Sequence, residues 1–328
     1  MTERPERNLA LEIVRVTEAA AMAAARHQGR GDKHDVDQAA VDAMRTILAT
    51  VDMDGIVVIG EGEKDEAPML FNGEQVGDGN DPQVDVAVDP VDGTTLTARG
   101  MGGALAVLAL AERGSMYAPG SLVYMNKVAV GEEAAGRIDI EAPVAHNLEQ
   151  VAKAKGKTVH DVTAIILDRP RNDDIVRQVR EAGARIALIT DGDISGAIAT
   201  AKEDSGIDIL LGIGGSPEAV TAACAMMALR GEQQCKLWPR DESERQYARD
   251  EGLDLDQVLG LRDLVDSDNT FFAATGVTTG ELLEGVHFDG NRIKTHSLVM
   301  RSKTGTVRFV EAIHRLDALT KISSFDLT

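Results

Sequence analysis

Cysteine, aromatic residues, basic charge and long apolar runs are all scarce in this chain. Its two cysteines, Cys224 and Cys235, form no CxxC pattern, so they read as reduced thiols rather than a disulfide framework or a thiolate metal site. Aromatics are 3% of the residues, with a single Trp, so the core must be built from Ala, Val, Ile and Leu. Lys and Arg number 34 against 54 Asp and Glu, a formal charge of −20. Such a surface repels a nucleic-acid backbone, and nucleic acid is excluded as a partner. It also repels a phosphorylated metabolite, so any phosphate site needs local cations, either bound metal or a few Arg and Lys. No apolar run is long enough to span a bilayer, and Met1 to Asn8 is charged where a signal peptide would be apolar. A cytoplasmic protein with no membrane partner is the expectation.

What the sequence does have is aliphatic bulk and glycine. Hydrophobic residues make up 43% of 328 positions, enough for a full core and for two lobes. Many of the 32 glycines cluster between apolar runs, which suggests functional turns. Leu9, Ile13, Val16, Ala20 and Ala23 recur at helical spacing, and Gly29 follows them. Ala40, Met44, Ile47, Leu48 and Val51 mark a second helix, with Asp35 or Asp37 as its cap. Strands are expected at Ile56–Ile59, at Val84–Val88 (stopping at Pro90), at Leu105–Leu110 and at Val123–Val130. Thereafter strands at 165–167, 186–189 and 207–211 alternate with helices at 173–182, 194–202 and 217–229, the rhythm of βαβ units. The charged stretch Arg240 to Asp256 reads as a solvated helix or loop, and strands after Thr270 could complete either sheet. A boundary near residue 160 divides the chain into an α+β metal-binding lobe (1–160) and an α/β substrate-binding lobe (161–328).

Four constellations carry chemistry. In Asp89-Pro90-Val91-Asp92-Gly93-Thr94, two carboxylates flank a proline at the end of a strand, and Gly93 permits a sharp turn. Asp85 shares the strand face of Asp89. Carboxylates so crowded need protons or metal, and hard oxygen donors select Mg²⁺ or Mn²⁺. Thr94 would stand at a helix N-terminus, where N–H groups and a hydroxyl can meet phosphate. A lone Asp-Pro would be an ordinary capped turn; the whole hexapeptide after an apolar strand points to function. The second constellation, Gly60-Glu61-Gly62-Glu63-Lys64-Asp65-Glu66, also follows a strand; alone it is an acidic surface loop, beside the hexapeptide it suits metal coordination. In the third, residues 29–37, Asp37 could join a helix start to a metal, Lys33 could touch a phosphate or a ligand carboxylate, and His34 reads as exposed; a cap with solvated charges fits equally. In the fourth, Gly212-Ile213-Gly214-Gly215-Ser216-Pro217-Glu218, a strand passes into a helix whose N–H groups can hold an anion. Glu218 there either favours the helix dipole or ligates metal. Two further strand ends are polar. Asp168-Arg169-Pro170-Arg171 offers guanidiniums for phosphate, and Asp191-Gly192-Asp193 offers carboxylates for sugar hydroxyls. Tyr124 and Lys127 could reach the same crevice, although Tyr124 could equally serve packing.

The hexapeptide preceded by the acidic loop resembles the metal motif of the lithium-sensitive phosphatase superfamily, which includes inositol monophosphatases and fructose-1,6-bisphosphatases. GRGDKHDVD, VVIGEGEKDEAPML, DRPR, ITDGD and GIGGSPEA, in that order along nearly the whole chain, are similar to one branch, the bacterial class II fructose-1,6-bisphosphatases. The resemblance implies a layered α/β/α/β/α sandwich, Mg²⁺ or Mn²⁺ as cofactor, removal of the 1-phosphate of fructose 1,6-bisphosphate in gluconeogenesis, and a homo-oligomer, dimer or tetramer. It implies Asp37, Glu61, Asp89, Asp92 and Glu218 as metal ligands. It implies Asp92, Gly93, Thr94, Tyr124, Arg169, Pro170, Arg171, Asp191, Gly192, Asp193 and Gly215 as substrate contacts, with Thr94, Asp89, Glu61 and Lys33 catalytic. The family's fourth motif position can be Glu where this chain has Asp92, a shorter carboxylate that could shift metal preference. The same chemistry on sedoheptulose 1,7-bisphosphate, an inositol phosphate or a nucleotide 3′-phosphate is the nearest rival, and the two arginines favour a bisphosphate. A non-catalytic sugar-phosphate-binding regulator is opposed by the intact carboxylate set. A dehydrogenase is opposed by the missing GxGxxG.

Overall fold

The computed structural model describes residues 8–62, 69–118 and 120–319. In chain order the elements are α1 (Ala10–Ala25), α2 (Lys33–Leu48), β1 (Asp54–Ile59), β2 (Gln75–Val76), β3 (Gln83–Asp92), α3 (Thr94–Ala98), β4 (Leu105–Glu112), β5 (Tyr124–Val130) and α4 (Val144–Ala154). They continue with β6 (Thr163–Leu167), α5 (Asp173–Glu181), β7 (Arg185–Ile189), α6 (Asp193–Ala201), β8 (Ile209–Gly215), α7 (Ser216–Ala228), β9 (Glu232–Leu237), α8 (Glu242–Asp250) and α9 (Leu261–Leu264). Last come β10 (Phe271–Gly276), β11 (His287–Asp289), β12 (Arg292–Arg301), β13 (Thr306–Arg315) and α10 (Leu316–Leu319). Among the described residues no helix is long and apolar enough to cross a membrane.

Two compact units result. The first comprises Met1–Gly114, Asn269–Arg301 and Thr306–Thr328; the second comprises Ser115–Asp268 and Ser302–Gly305. The expected boundary at 160/161 falls inside the second unit, just ahead of β6. β5 joins the later sheet, and the strands after Thr270 return to the first one.

The first unit holds a mixed sheet in the order β11-β12-β10-β4-β3-β1-β2, with β13 paired to β12. The Ala-rich helix α1 is buried through Ala19–Ala25, because small side chains let it lie close to the sheet and to α2. Leu9, Ile13, Met44 and Leu48 from these helices share one core with Val84, Val86 and Val88 of β3. In the second unit the order is β7-β6-β8-β5-β9, with β6 parallel to both β7 and β8. Leu148 and Val151 of α4 and Val179 of α5 pack on Ala164, Ile166 and Ile209. Helices α6 and α7 also contact β8 and β5. Each unit is thus a layered α/β assembly.

Several local expectations are corrected. β3 does not stop at Pro90 but runs to Asp92. Asp89 faces Val107 and Asp92 faces Leu105, so β3 carries one extra residue there, and Pro90 sits in a bulge where its missing N–H is not needed. The cap of α2 is neither Asp35 nor Asp37 but Asp32, whose carboxylate accepts from the N–H groups of His34 at 2.8 Å and Asp35 at 3.3 Å. Asp85, on the strand face expected for it four residues before Asp89, lies 3.8 Å from Arg113 Nε. β9 has a two-residue alternation whose buried positions include Gln233, which gives its amide to the carbonyl of Ala219 at 2.9 Å.

Phe272, the second residue of β10, is fully buried. Phe272→Ala should cost about 3–5 kcal/mol in chemical denaturation. A loss below about 1 kcal/mol would show that this strand is not part of the cooperative core.

Candidate functional site

The first unit gathers acids where strands end. β1 and β3 run parallel, with Ile59 opposite Ala87, so Glu61 and the Asp89–Thr94 segment leave the sheet at the same edge. Glu61 is anchored by its N–H to the carbonyl of Leu70 at 2.9 Å. Beyond Gly62, residues 63–68, which include Glu63, Lys64, Asp65 and Glu66, lie outside the described residues. Asp89 is half-buried and Asp92 buried. Gly93 then turns the chain at φ 104°, and a Cβ there would stand 3.0 Å from Leu96, so only glycine suits the turn. Thr94, half-buried, is the first residue of α3.

The loop after α1 ties α2 to this edge. The N–H groups of Gly29 and Gly31 donate to the carbonyls of Thr97 and Ala98, both at 2.9 Å. Asp37 therefore stands in the second turn of a helix whose leading loop is fastened to α3, the helix that begins at Thr94. Lys33 and His34, in the first turn, are exposed. Burial raises Asp37 above the ordinary carboxylate range. Burial, and next the charge of Asp37, push Glu61 up to about 7. Glu61 thus feels the charge of Asp37.

The second unit presents the ends of three parallel strands. Tyr124, Arg169, Arg171, Asp191, Asp193, Gly215 and Glu218 all line one cavity of about 330 Å³. Pro170 and Gly192 are not lining residues. Pro170 opens a 3-10 turn and Gly192, at φ 89°, precedes α6, so both shape the turns that present their neighbours. Asn172 locks the arginine turn. It is fully buried, accepts from the N–H of Ile213 at 2.7 Å, and donates to the carbonyls of Leu167 at 3.0 Å and Ile213 at 3.2 Å. The guanidinium of Arg171 lies 4.3 Å from the centre of the Tyr124 ring, a cation–π contact, and its Nε donates to the carbonyl of Ile213 at 3.0 Å.

Behind these residues is a group that sequence reading placed only loosely. Lys127 Nζ lies 2.6 Å from Asp193 Oδ2, with both side chains buried. Burial alone would lower Lys127, but the charges of Asp193 and Glu218 hold it above its ordinary value. Glu218, in the first turn of α7, is pushed up to about 7 by burial and then by Asp193, against the pull of Lys127. Its Oε2 is out of solvent and has no hydrogen-bond partner. The glycines make this possible. A Cβ on Gly214 would be 2.0 Å from Asp193 Oδ2, and one on Gly215 would be 1.7 Å from Glu218 Oε2.

The acids of each unit are of the kind that suits a divalent cation. Each unit offers hard carboxylate oxygens of its own: Glu61 in the first, raised by burial and then by Asp37, and Glu218 in the second, raised by burial and then by Asp193, with its Oε2 unpartnered. Among the described residues no three His, Cys, Asp or Glu side chains are gathered as a cage.

Acidic strand ends in one unit and arginine-bearing strand ends in the other belong to the class of α/β proteins that handle small phosphate esters. The family model described as bacterial fructose-1,6-bisphosphatase, glpX-encoded, matches residues 7–314, and the chain belongs to that family. It is 44% identical over 330 residues to a class 2 fructose-1,6-bisphosphatase of Haemophilus influenzae, covering 96% of this chain and 98% of that one. It is 45% identical over 325 residues to the class 2 fructose-1,6-bisphosphatase 1 of Escherichia coli K12, covering 95% and 96%.

Two outcomes are expected. Gly214→Ala should lower stability by about 1–3 kcal/mol, because Asp193 or the backbone must shift; an unchanged thermal midpoint would contradict the close approach. The second concerns pH. With Glu61 and Glu218 raised to about 7, the folded metal-free chain binds more protons than the unfolded chain between the ordinary value of 4.5 and about 7. Their contribution to stability is complete below the lower value and lost as pH rises through the upper one. The metal-free melting temperature should therefore fall over that window, and fall less in a Glu61→Gln/Glu218→Gln variant. Equal slopes would refute it.

Proposed function

We infer that the protein hydrolyses fructose 1,6-bisphosphate to fructose 6-phosphate and inorganic phosphate, a step of gluconeogenesis. The family match over residues 7–314 carries the reading, and the cavity with two arginines suits a substrate with a second phosphate. The Asp89–Thr94 motif supports a wider kinship with the lithium-sensitive phosphatases.

Asp37, Glu61, Asp89 and Asp92 are read as ligands of Mg²⁺ or Mn²⁺ in the first unit, and Glu218 is read as a ligand in the second. When bound, the cation supplies the positive charge that phosphoryl oxygens require and acidifies a bound water. The hydroxyl of Thr94 orients the attacking water, and Glu61 or Asp89 accepts its proton. The water oxygen joins phosphorus, the bond from phosphorus to the C1 oxygen breaks, and the proton ends on that sugar oxygen. Lys33 approaches the phosphoryl group from α2. Arg169 and Arg171 hold the distal phosphate, with Arg171 steadied on the Tyr124 ring. Asp191 and Asp193 accept hydrogen bonds from sugar hydroxyls, while Gly93 and Gly215 leave the backbone close to the ligand. Two unbridged, buried cysteines support a cytoplasmic setting. A homo-oligomer, dimer or tetramer, is the assembly to be checked by light scattering.

The test is phosphate release from fructose 1,6-bisphosphate, with and without Mg²⁺ or Mn²⁺, for the wild type and Asp89→Ala. Release should require metal and fall by about 10³-fold or more in the variant. Sedoheptulose 1,7-bisphosphate and an inositol phosphate rank specificity. A folded protein that releases no phosphate with either metal would sink the assignment.

A further inference from the structure

Lys127 is a buried cation with no direct place in the chemistry just described. It lies mid-strand in β5, opposite Gly212 of β8 and Cys235 of β9. Its side chain is 4% exposed and that of Asp193 is 8%, with 2.6 Å between their charged atoms. Burying such a pair is costly to desolvate, and apolar residues of similar volume would often be at least as stable. The neighbourhood is nonetheless shaped around it. A Cβ at Gly214 would stand 2.0 Å from Asp193 Oδ2 and 3.1 Å from Lys127 Nζ, so a side chain has been given up there to admit both groups. Asp193 also lines the cavity, and it is the first residue of α6, so helix start and carboxylate are fixed together.

We propose that Lys127 is a positioning residue. By holding Oδ2 of Asp193, it fixes that carboxylate as a rigid acceptor for the sugar hydroxyls of the substrate. The inference rests on the reading of this cavity as the sugar-phosphate site. Without Lys127 the carboxylate would be a buried charge facing Glu218, free to rotate or to take up a proton, and the sugar would lose an oriented partner. The effect on chemistry at phosphorus would be smaller, because Lys127 bonds directly to Asp193 and acts on Glu218, the metal ligand read in this unit, only through its charge.

The experiment compares wild type, Lys127→Arg, Lys127→Met and Lys127→Met/Asp193→Asn, each metal-loaded. KM and kcat are measured on fructose 1,6-bisphosphate and on p-nitrophenyl phosphate, which has no sugar, and fructose 6-phosphate affinity is measured by calorimetry. Lys127→Met should raise KM for the sugar bisphosphate about tenfold or more, the worth of one well-placed hydrogen bond to a charged group. kcat and both constants for p-nitrophenyl phosphate should change far less, and Lys127→Arg should restore much of the loss. The double variant removes both buried charges. It should recover thermal stability while its KM and its affinity for fructose 6-phosphate stay weak. A folded Lys127→Met enzyme with wild-type KM overturns the proposal, as does a double variant that recovers affinity along with stability. Wild type that neither cleaves the bisphosphate nor binds fructose 6-phosphate overturns the functional reading, and the proposal with it. Wild type that does both, beside unaffected variants, overturns the proposal alone.

Discussion

Crowded carboxylates at the ends of strands are the constraint on which the rest of the structure depends. Like charges in a poorly solvated place repel, and they persist only if protons or cations balance them. Burial and Asp37 raise Glu61, while burial and Asp193 raise Glu218. The fold maintains this tension instead of relieving it. It fastens the loop before α2 to α3 through Gly29 and Gly31, and it clears Gly214 and Gly215 so that Asp193 and Glu218 can lie against backbone. Such an arrangement is a poor way to stabilise a protein and a good way to prepare one for a cation.

The two units meet the charge problem differently. The first places its acids at the edge where β1 and β3 end, and the exposed Lys33 is the cation read into its chemistry. The second places cations among its acids: Arg169 and Arg171 on the cavity, and Lys127 in the interior. A chain of net charge −20 can attract a phosphate ester only where such local positive charge outweighs the background. Arg171 is held by the Ile213 carbonyl and by the Tyr124 ring, and neither contact neutralises it. Its full charge thus remains available to a ligand.

Much of this was legible in the sequence because it is local. Strand-to-turn transitions at Ile59, Leu167 and Ile189, and the glycine-proline entry to α7, follow from short-range propensity, and the structure places an element boundary at each. What was not legible depends on partners distant in the chain. Pro90 argued for a strand end, but the bulge opposite β4 lets the strand continue, and no local pattern announces a bulge. Asp32 outcompeted Asp35 and Asp37 as the cap because the start of α2 is set by where Gly31 bonds to Ala98. Polar Gln233 disguised β9, since its partner is the carbonyl of Ala219, fourteen positions away. The return of β10, β12 and β13 to the first sheet, which displaces the unit boundary from 160, is likewise a non-local pairing.

Lys127 shows most clearly why site residues escape a reading by motif. Motifs mark groups that meet the ligand, and those sit at turns where glycine and proline advertise them. A residue that orients such a group sits inside a strand, and its partner is 66 positions away. It carries no local signature except a charge where the alternation of β5 calls for an apolar side chain. That misfit has physical content. A lysine costs more to bury than the Met or Leu that would fill the same space, so its presence implies a function for the charge. Gly214 carries the matching signal on the neighbouring strand, a missing side chain where Asp193 and Lys127 need room. A charge in an apolar position, beside a glycine in a strand that gains nothing from flexibility, is therefore a pattern by which supporting residues of a polar site can be sought when the motif residues alone are known.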